Sequence, residues 1–171
     1  VVKASIGQIP NVFEWTLRSL SLNVKWPAHI WRGGFALGIL ANDHAVHKAA
    51  IGAVNMADLE LKTVFDVATE ALRRYGNGEK VWFGSMCHLL ATLAKDSPAN
   101  VARIQATPGL VAELQHVHAR ATENKFGGKS QNIANWTQEV LAACGAQGGG
   151  GGAADGACNQ DLAACPWLLR Y

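Results

Sequence analysis

The chain has 171 residues, 49% of them hydrophobic, which is enough for one domain with a buried core but too short to promise two. Its 15 basic and 13 acidic residues leave a formal net charge of +2 and are dispersed, which argues against nucleic acid as the main partner, since phosphate binding needs a concentrated basic face. No apolar run reaches the ~18 to 20 residues of a membrane-spanning helix, and the opening VVKASIGQIPNVFEW has no signal-peptide layout.

In chain order, a helix is expected over IPNVFEWTLRSL, residues 9–20. Trp26-Pro27 looks like a staple at the entrance of the next helix, which ends in ALGILAND, residues 36–43. AVHKAAIGA, residues 45–53, is a short helix, and MADLELKTVFDVATEAL, residues 56–72, a longer one. Arg73-Arg74, followed by Lys80, is the nearest approach to a basic cluster and reads as a solvated helix end. Over residues 79–95 Trp82, Met86, Leu89 and Leu93 step by four, three and four, so one helix face is apolar. Asp96-Ser97-Pro98 ends that helix, with Ser97 placed to cap and Pro98 to open ANVARIQA, residues 99–106. Thr107-Pro108 repeats the signal before PGLVAELQHVHARA, residues 108–121. KFGGKSQN, residues 125–132, is a glycine-rich loop, and Ile133, Trp136 and Val140 then share a face of the last helix. Period-two alternation, the signature of strands, is absent.

Sliding the sequence against itself by 53 residues aligns 36–70 with 89–123 and gives 13 identities, among them Leu40/Leu93, Asp43/Asp96, Ile51/Ile104, Leu61/Leu114 and Ala68/Ala121. About two or three would arise by chance, so the pattern is an internal duplication. A single such unit cannot cover its own apolar faces and must stack on neighbours, so the expected product is a solenoid.

The rhythm resembles armadillo repeats, with HEAT repeats as a neighbouring alternative. The resemblance covers residues from about 7 to 145 and rests on the third-helix endings ALGILAND, LLATLAKD and EVLAACGA, with AVHKAAIGA and ANVARIQA as first helices. It implies an all-α, right-handed α-solenoid of stacked three-helix repeats, with units at about 1–43, 44–96 and 97–145. The 53-residue step exceeds the family's usual length, and the excess is assigned to second-to-third-helix connections such as RRYGNGEK, residues 73–80. The chain starts without a Met and reads as a piece of something longer.

The resemblance further implies a non-catalytic scaffold that binds other proteins or extended peptides along a groove lined by its third helices, with no cofactor. Importin-alpha proteins grip basic peptides there with a Trp and an Asn four residues later. Register places Phe35, His88 and Trp136 at the Trp position, but Ile39, Thr92 and Val140 at the Asn position, so nuclear import is not expected. With Arg32 and Ser85 one turn earlier, the candidate groove contacts are Arg32, Phe35, Ile39, Ser85, His88, Thr92 and Trp136. Core packing is the competing role for each of them. A second reading is a structural or regulatory subunit packed constitutively in a large complex.

A third reading is a helical enzyme with a histidine-based metal site. His44 and His47 have the i, i+3 spacing that can bite one ion, and His116 and His118 are the other close pair, but no HExxH-type carboxylate supports either. Ser85 or Cys87 would need a His base, and only Ser85 and His88 are usably spaced on a helix. No GxGxxG or GxxxxGK[ST] follows a strand. Cys87 and Cys144 fall within expected helices as free thiols, which suits a reducing, intracellular, cytoplasmic setting, with the nucleus or a cytoskeletal assembly as alternatives. After Gly145 the composition changes to a Gly-rich linker, residues 146–152, and a tail, 153–171, that either caps the last repeat, begins a further one, or docks elsewhere. Cys158 and Cys165 lie in that tail and could bridge if it is ordered.

Overall fold

The computed structural model describes residues 5, 9, 11–78 and 81–145; the linker and tail, with Cys158 and Cys165, lie outside the described residues, as does Lys80. The helices run α1 Val12–Leu22, α2 Pro27–Ala41, α3 Ala45–Ala53, α4 Val64–Tyr75, α5 Gly84–Ala94, α6 Pro98–Ala106, α7 Leu110–Thr122 and α8 Ser130–Ala143, with a single 3₁₀ turn at Gly127–Lys129 before α8. Among the described residues there is no strand, and no helix is long and apolar enough to cross a membrane.

Local chemistry sets most of the helix ends. Pro27 and Pro98 open α2 and α6, where a missing N–H costs nothing. Thr63 and Asp66 close a reciprocal capping box on α4: Asp66 N–H donates to Thr63 Oγ1 at 3.2 Å, and Thr63 N–H donates to Asp66 Oδ2 at 2.9 Å. Three expected caps differ. Ser97 occupies the N-cap position of α6 without a side-chain cap bond. Thr107 closes α6 rather than opening α7, its Oγ1 donating back to the Arg103 carbonyl at 2.8 Å. Trp26 is itself the N-cap of α2 and is 55% exposed, so it does not act as a staple.

Helices in corresponding places touch: α5 packs between α2 and α8, α4 lies on α7, and α3 lies on α6. Two details show the 53-residue register in the backbone itself. Asn42 and Lys95 have φ near −60° with ψ of 126° and 121°, and Asp43 and Asp96 follow at φ 55° each. Both make the same type II turn, closed by His44 N–H to Ala41 O at 3.1 Å and Ser97 N–H to Ala94 O at 3.2 Å. Beyond it, His47 Nδ1 sits 2.9 Å from the Leu40 carbonyl, and Asn100 Nδ2 donates to the Leu93 carbonyl at 3.0 Å. Two different side chains thus make one seven-residue backward reach.

Side chains also tie these helices together. Asn100, fully buried, donates a second bond to the Lys48 carbonyl at 3.2 Å, while Lys48 Nζ donates to the Lys95 carbonyl at 3.0 Å at the end of α5. Arg73 and Arg74 are half-exposed but not a free basic patch: both pair with Glu70, and Arg73 also reaches Glu113 on α7 at 3.5 Å.

The register holds to the end of the short helices and then slips. Ten residues, 54–63, connect α3 to α4, whereas three, 107–109, connect α6 to α7. The extra length therefore lies in the first-to-second-helix connection, not in RRYGNGEK. Leu61 stands in that connection, its carbonyl accepting from Ser21 Oγ at 3.0 Å, whereas its sequence counterpart Leu114 is buried on α7. The buried faces correspond instead at a spacing of 46, as Val64, Ala68 and Ala71 against Leu110, Leu114 and Val117. The two spacings differ by seven residues, about two helical turns, so sliding from one to the other keeps every apolar residue on the same face. The long connection is anchored by Met56, buried and bonded to Lys62 O at 2.7 Å, and by the Arg18–Asp58 ion pair at 2.6 Å, where Arg18 holds the Asp58 carboxyl below its ordinary range.

Candidate functional site

α5 is the middle of three stacked helices, and every residue from Gly84 to Ala94 is buried. Ser85, His88 and Thr92 are 5%, 8% and 7% exposed. Ser85 Oγ is committed to the neighbouring helix, donating to the Ile30 carbonyl at 3.1 Å. Among the described residues a cleft lies above α5, about 90 Å³ in volume, walled by Trp31 and Phe35 of α2 and by Asn132, Ile133 and Trp136 of α8. Val81, Gly84, Ser85 and His88 form its floor, and Lys129 stands at one end.

The rings explain the walls. His88 lies between Phe35, with ring centroids 6.0 Å apart, and Trp136, at 5.2 Å and 62° in an edge-to-face arrangement. These are the three positions that register made equivalent, and they set one ring from each of α2, α5 and α8 in a row. The hollow comes from the row one turn earlier, Trp31, Gly84 and Asn132: its central member has no side chain, and a Cβ added there would meet only Ile133, at 3.7 Å.

Of the expected contacts, Phe35, Ser85, His88 and Trp136 are therefore brought together at the cleft. Arg32 is not: it is exposed and lines a separate depression of about 420 Å³ between α1 and α2, with Trp15 and His29. Ile39 is half-buried, Thr92 is buried, and neither lines the cleft. Sequence reading missed Trp31, Val81, Gly84, Lys129, Asn132 and Ile133. The signal was available, because Trp31, Gly84 and Asn132 lie four residues before the mapped row, and the i, i−4 neighbour shares a helix face as well as the i, i−3 one does.

The histidines do not converge on an ion. His44 Nδ1 accepts from the His47 N–H at 3.3 Å, capping α3, and the two rings stack at 3.6 Å. His116 meets Asn77 at 2.8 Å, while His118 meets Thr137 at 3.0 Å. Among the described residues no three His, Cys, Asp or Glu side chains are grouped as a metal site. Nor is Cys87 suited to nucleophilic attack: complete burial pushes its thiol up to about 12. Because the folded state keeps this proton and the unfolded chain releases it near 9.0, stability is full below about pH 9 and falls as pH rises towards 12. Denaturation at pH 9 and 10.5 is expected to show Cys87→Ala removing roughly 1 to 2 kcal/mol of that decline. An unchanged slope would mean that the thiol is hydrated.

No protein-family model, curated protein or solved structure matches this chain.

Proposed function

We propose that the chain is part of an armadillo-like α-solenoid and acts as a non-catalytic protein-interaction scaffold, gripping a protein or extended peptide in the cleft over α5. The observation that carries this reading is the aromatic row Phe35, His88 and Trp136, one residue from each stacked helix, beside a hollow made by Gly84. Contact between counterpart helices and the repeated type II turns support the solenoid. An apolar cleft with a few polar groups at its edge is the usual form of a recognition site, and large aromatics carry much of the energy of protein interfaces. Free thiols at Cys87 and Cys144 support placing the protein in a reducing, cytoplasmic compartment.

The test fills the cleft without disturbing the fold. Gly84→Leu has room for its Cβ and projects into the hollow, whereas Trp136→Ala removes a wall. Affinity capture with the wild-type chain beside these two variants is expected to lose one shared set of partners, with helicity and melting of Gly84→Leu unchanged. Retention of every partner by both variants would overturn the reading.

A constitutive subunit of a large complex is a second reading, and the far end of the array favours it. Trp15, Leu22 and Trp26, on and just after α1, are 60%, 61% and 55% exposed, which is costly for such large apolar side chains unless a neighbour covers them. Co-purification that survives high salt, and that Gly84→Leu leaves intact, would select this reading.

A further inference from the structure

We infer that a second copy of this chain docks head to tail on the α1–α2 end, laying its α8 against α2. Asn135 and Glu139 of one copy then seat on Gly33, Ala36 and Arg32 of the next. This rests on the stacked-helix part of the reading above and not on the cleft. The helices already stacked supply the template. A Cβ on Gly34 would meet Ser85 and Met86, and one on Gly38 would meet His88 and Leu89. Gly84 faces Ile133, and His88 meets Trp136, so α2, α5 and α8 run parallel and join through corresponding stripes. The stripe turned to the preceding helix is buried in both helices that have one, as Ser85, Met86 and Leu89 in α5 and as Ile133, Ala134 and Thr137 in α8. Its counterpart in α2 is open among the described residues, with Arg32 and Ala36 exposed and Gly33 half-buried. Arg32 and Gly33 border the depression of about 420 Å³ between α1 and α2, beside Trp15, which is 60% exposed.

Size and charge choose the occupant. At the α2–α5 seam the first helix contributes glycines, Gly34 and Gly38, and the second contributes the bulk of Met86, His88 and Leu89. The same register carried past α8 reverses these roles. The Gly34 and Gly38 positions become Asn135 and Glu139, both exposed, and the Met86 and Leu89 positions become Gly33 and Ala36. Bulk on α8 thus meets room on α2. Glu139 is the one charged residue of α8, and Arg32 is the one Lys or Arg of α2. Glu139 lands on Ala36, one helical turn or roughly 5 Å from Arg32, within reach of its guanidinium. Within its own copy Glu139 has Lys95 as a charged neighbour but closes no ion pair with it. No Asp or Glu lines the depression. Two α1–α2 ends meeting about a two-fold axis would therefore leave each Arg32 without an acid, whereas head-to-tail docking supplies one. Polarity agrees. Gln131 donates to Asn135 Oδ1 at 2.8 Å, and the register sets this amide pair opposite His29 and Arg32, which an apolar helix would leave without hydrogen-bond partners.

Such a contact joins two unlike faces and does not close on itself, so copies add end to end. Sedimentation of the full chain from ~1 µM to ~1 mM is expected to show the average mass rising beyond that of two copies. Arg32→Glu sets two carboxylates together, and Asn135→Trp overfills the space beside Gly33. Each should weaken self-association at least ~10-fold with melting unchanged, because both positions are exposed. Mixed, the two variants should form a complex that stops at two copies, since each keeps the face that the other has lost. Arg32→Glu combined with Glu139→Arg should restore growth. A chain that stays a single copy throughout, wild-type association that stops at two, or a mixture that associates no better than its members would overturn the inference. Gly84→Leu should leave self-association as it is. If the wild type stays a single copy while Gly84→Leu still removes captured partners, the docking falls and the scaffold reading survives. If copies associate as expected while capture ignores Gly84→Leu, the cleft falls and the docking stands.

Discussion

Asn100→Ala is expected to lower the unfolding free energy by about 3 kcal/mol. The side chain is fully buried, and its amide donates to two carbonyls on different helices, Leu93 of α5 at 3.0 Å and Lys48 of α3 at 3.2 Å. The Leu93 carbonyl belongs to the last turn of α5, where no helical N–H follows to satisfy it, so truncation leaves a buried acceptor with nothing in place of the amide. The Lys48 carbonyl keeps its helical partner, which is why the expected loss is closer to one orphaned group plus one weakened contact than to two orphans. Close packing makes the site intolerant of repair. A Cβ on Gly52 would fall 2.8 Å from Asn100 Cγ, with the amide oxygen closer still. Urea denaturation of the full chain should show the midpoint falling with the slope unchanged. A loss under 1 kcal/mol would mean that water replaces the amide and that the stitch between units lies elsewhere.

Gly38→Val is the second large effect, about 2 to 3 kcal/mol, and it should damage the cleft together with the fold. An added Cβ would come within 2.6 Å of His88 Nδ1 and 2.9 Å of His88 Cε1, with the Leu89 Cα behind it at 3.7 Å. The imidazole has little room to turn aside, since Phe35 and Trp136 flank it at 6.0 and 5.2 Å. Either α2 and α5 separate or the aromatic row breaks. Thermal melting measures the first outcome, and the Trp136 indole resonance the second. Gly128→Ala is the control, because nothing lies within 4 Å of a Cβ there, and its effect should stay within about 0.5 kcal/mol. If Gly38→Val melts with the wild type and leaves Trp136 unmoved, the seam between α2 and α5 is looser than its geometry implies.

The sequence by itself determined what depends on near neighbours in the chain. The Pro27 and Pro98 openings, the Thr63–Asp66 box and the Asp43 and Asp96 turns are short-range chemistry, and each was written in the residues that carry it. The 53-residue duplication also predicted that Phe35 and His88 occupy one place in successive units, and the extension to Trp136 completed the row.

Only the tertiary structure decided which faces stay open. α5 shows the same amphipathic pattern as a half-exposed helix, yet it is covered on both sides because α2 and α8 stack against it, and no residue within α5 records that. The slip between α4 and α7 was hidden for a related reason: a shift of seven residues leaves a helical apolar stripe almost in place, so identities in sequence and equivalence in packing could part company unseen. The cleft is the clearest case. It exists because Gly84 lacks a side chain between Trp31 and Asn132, and an absence acquires meaning only when its neighbours arrive from elsewhere in the chain.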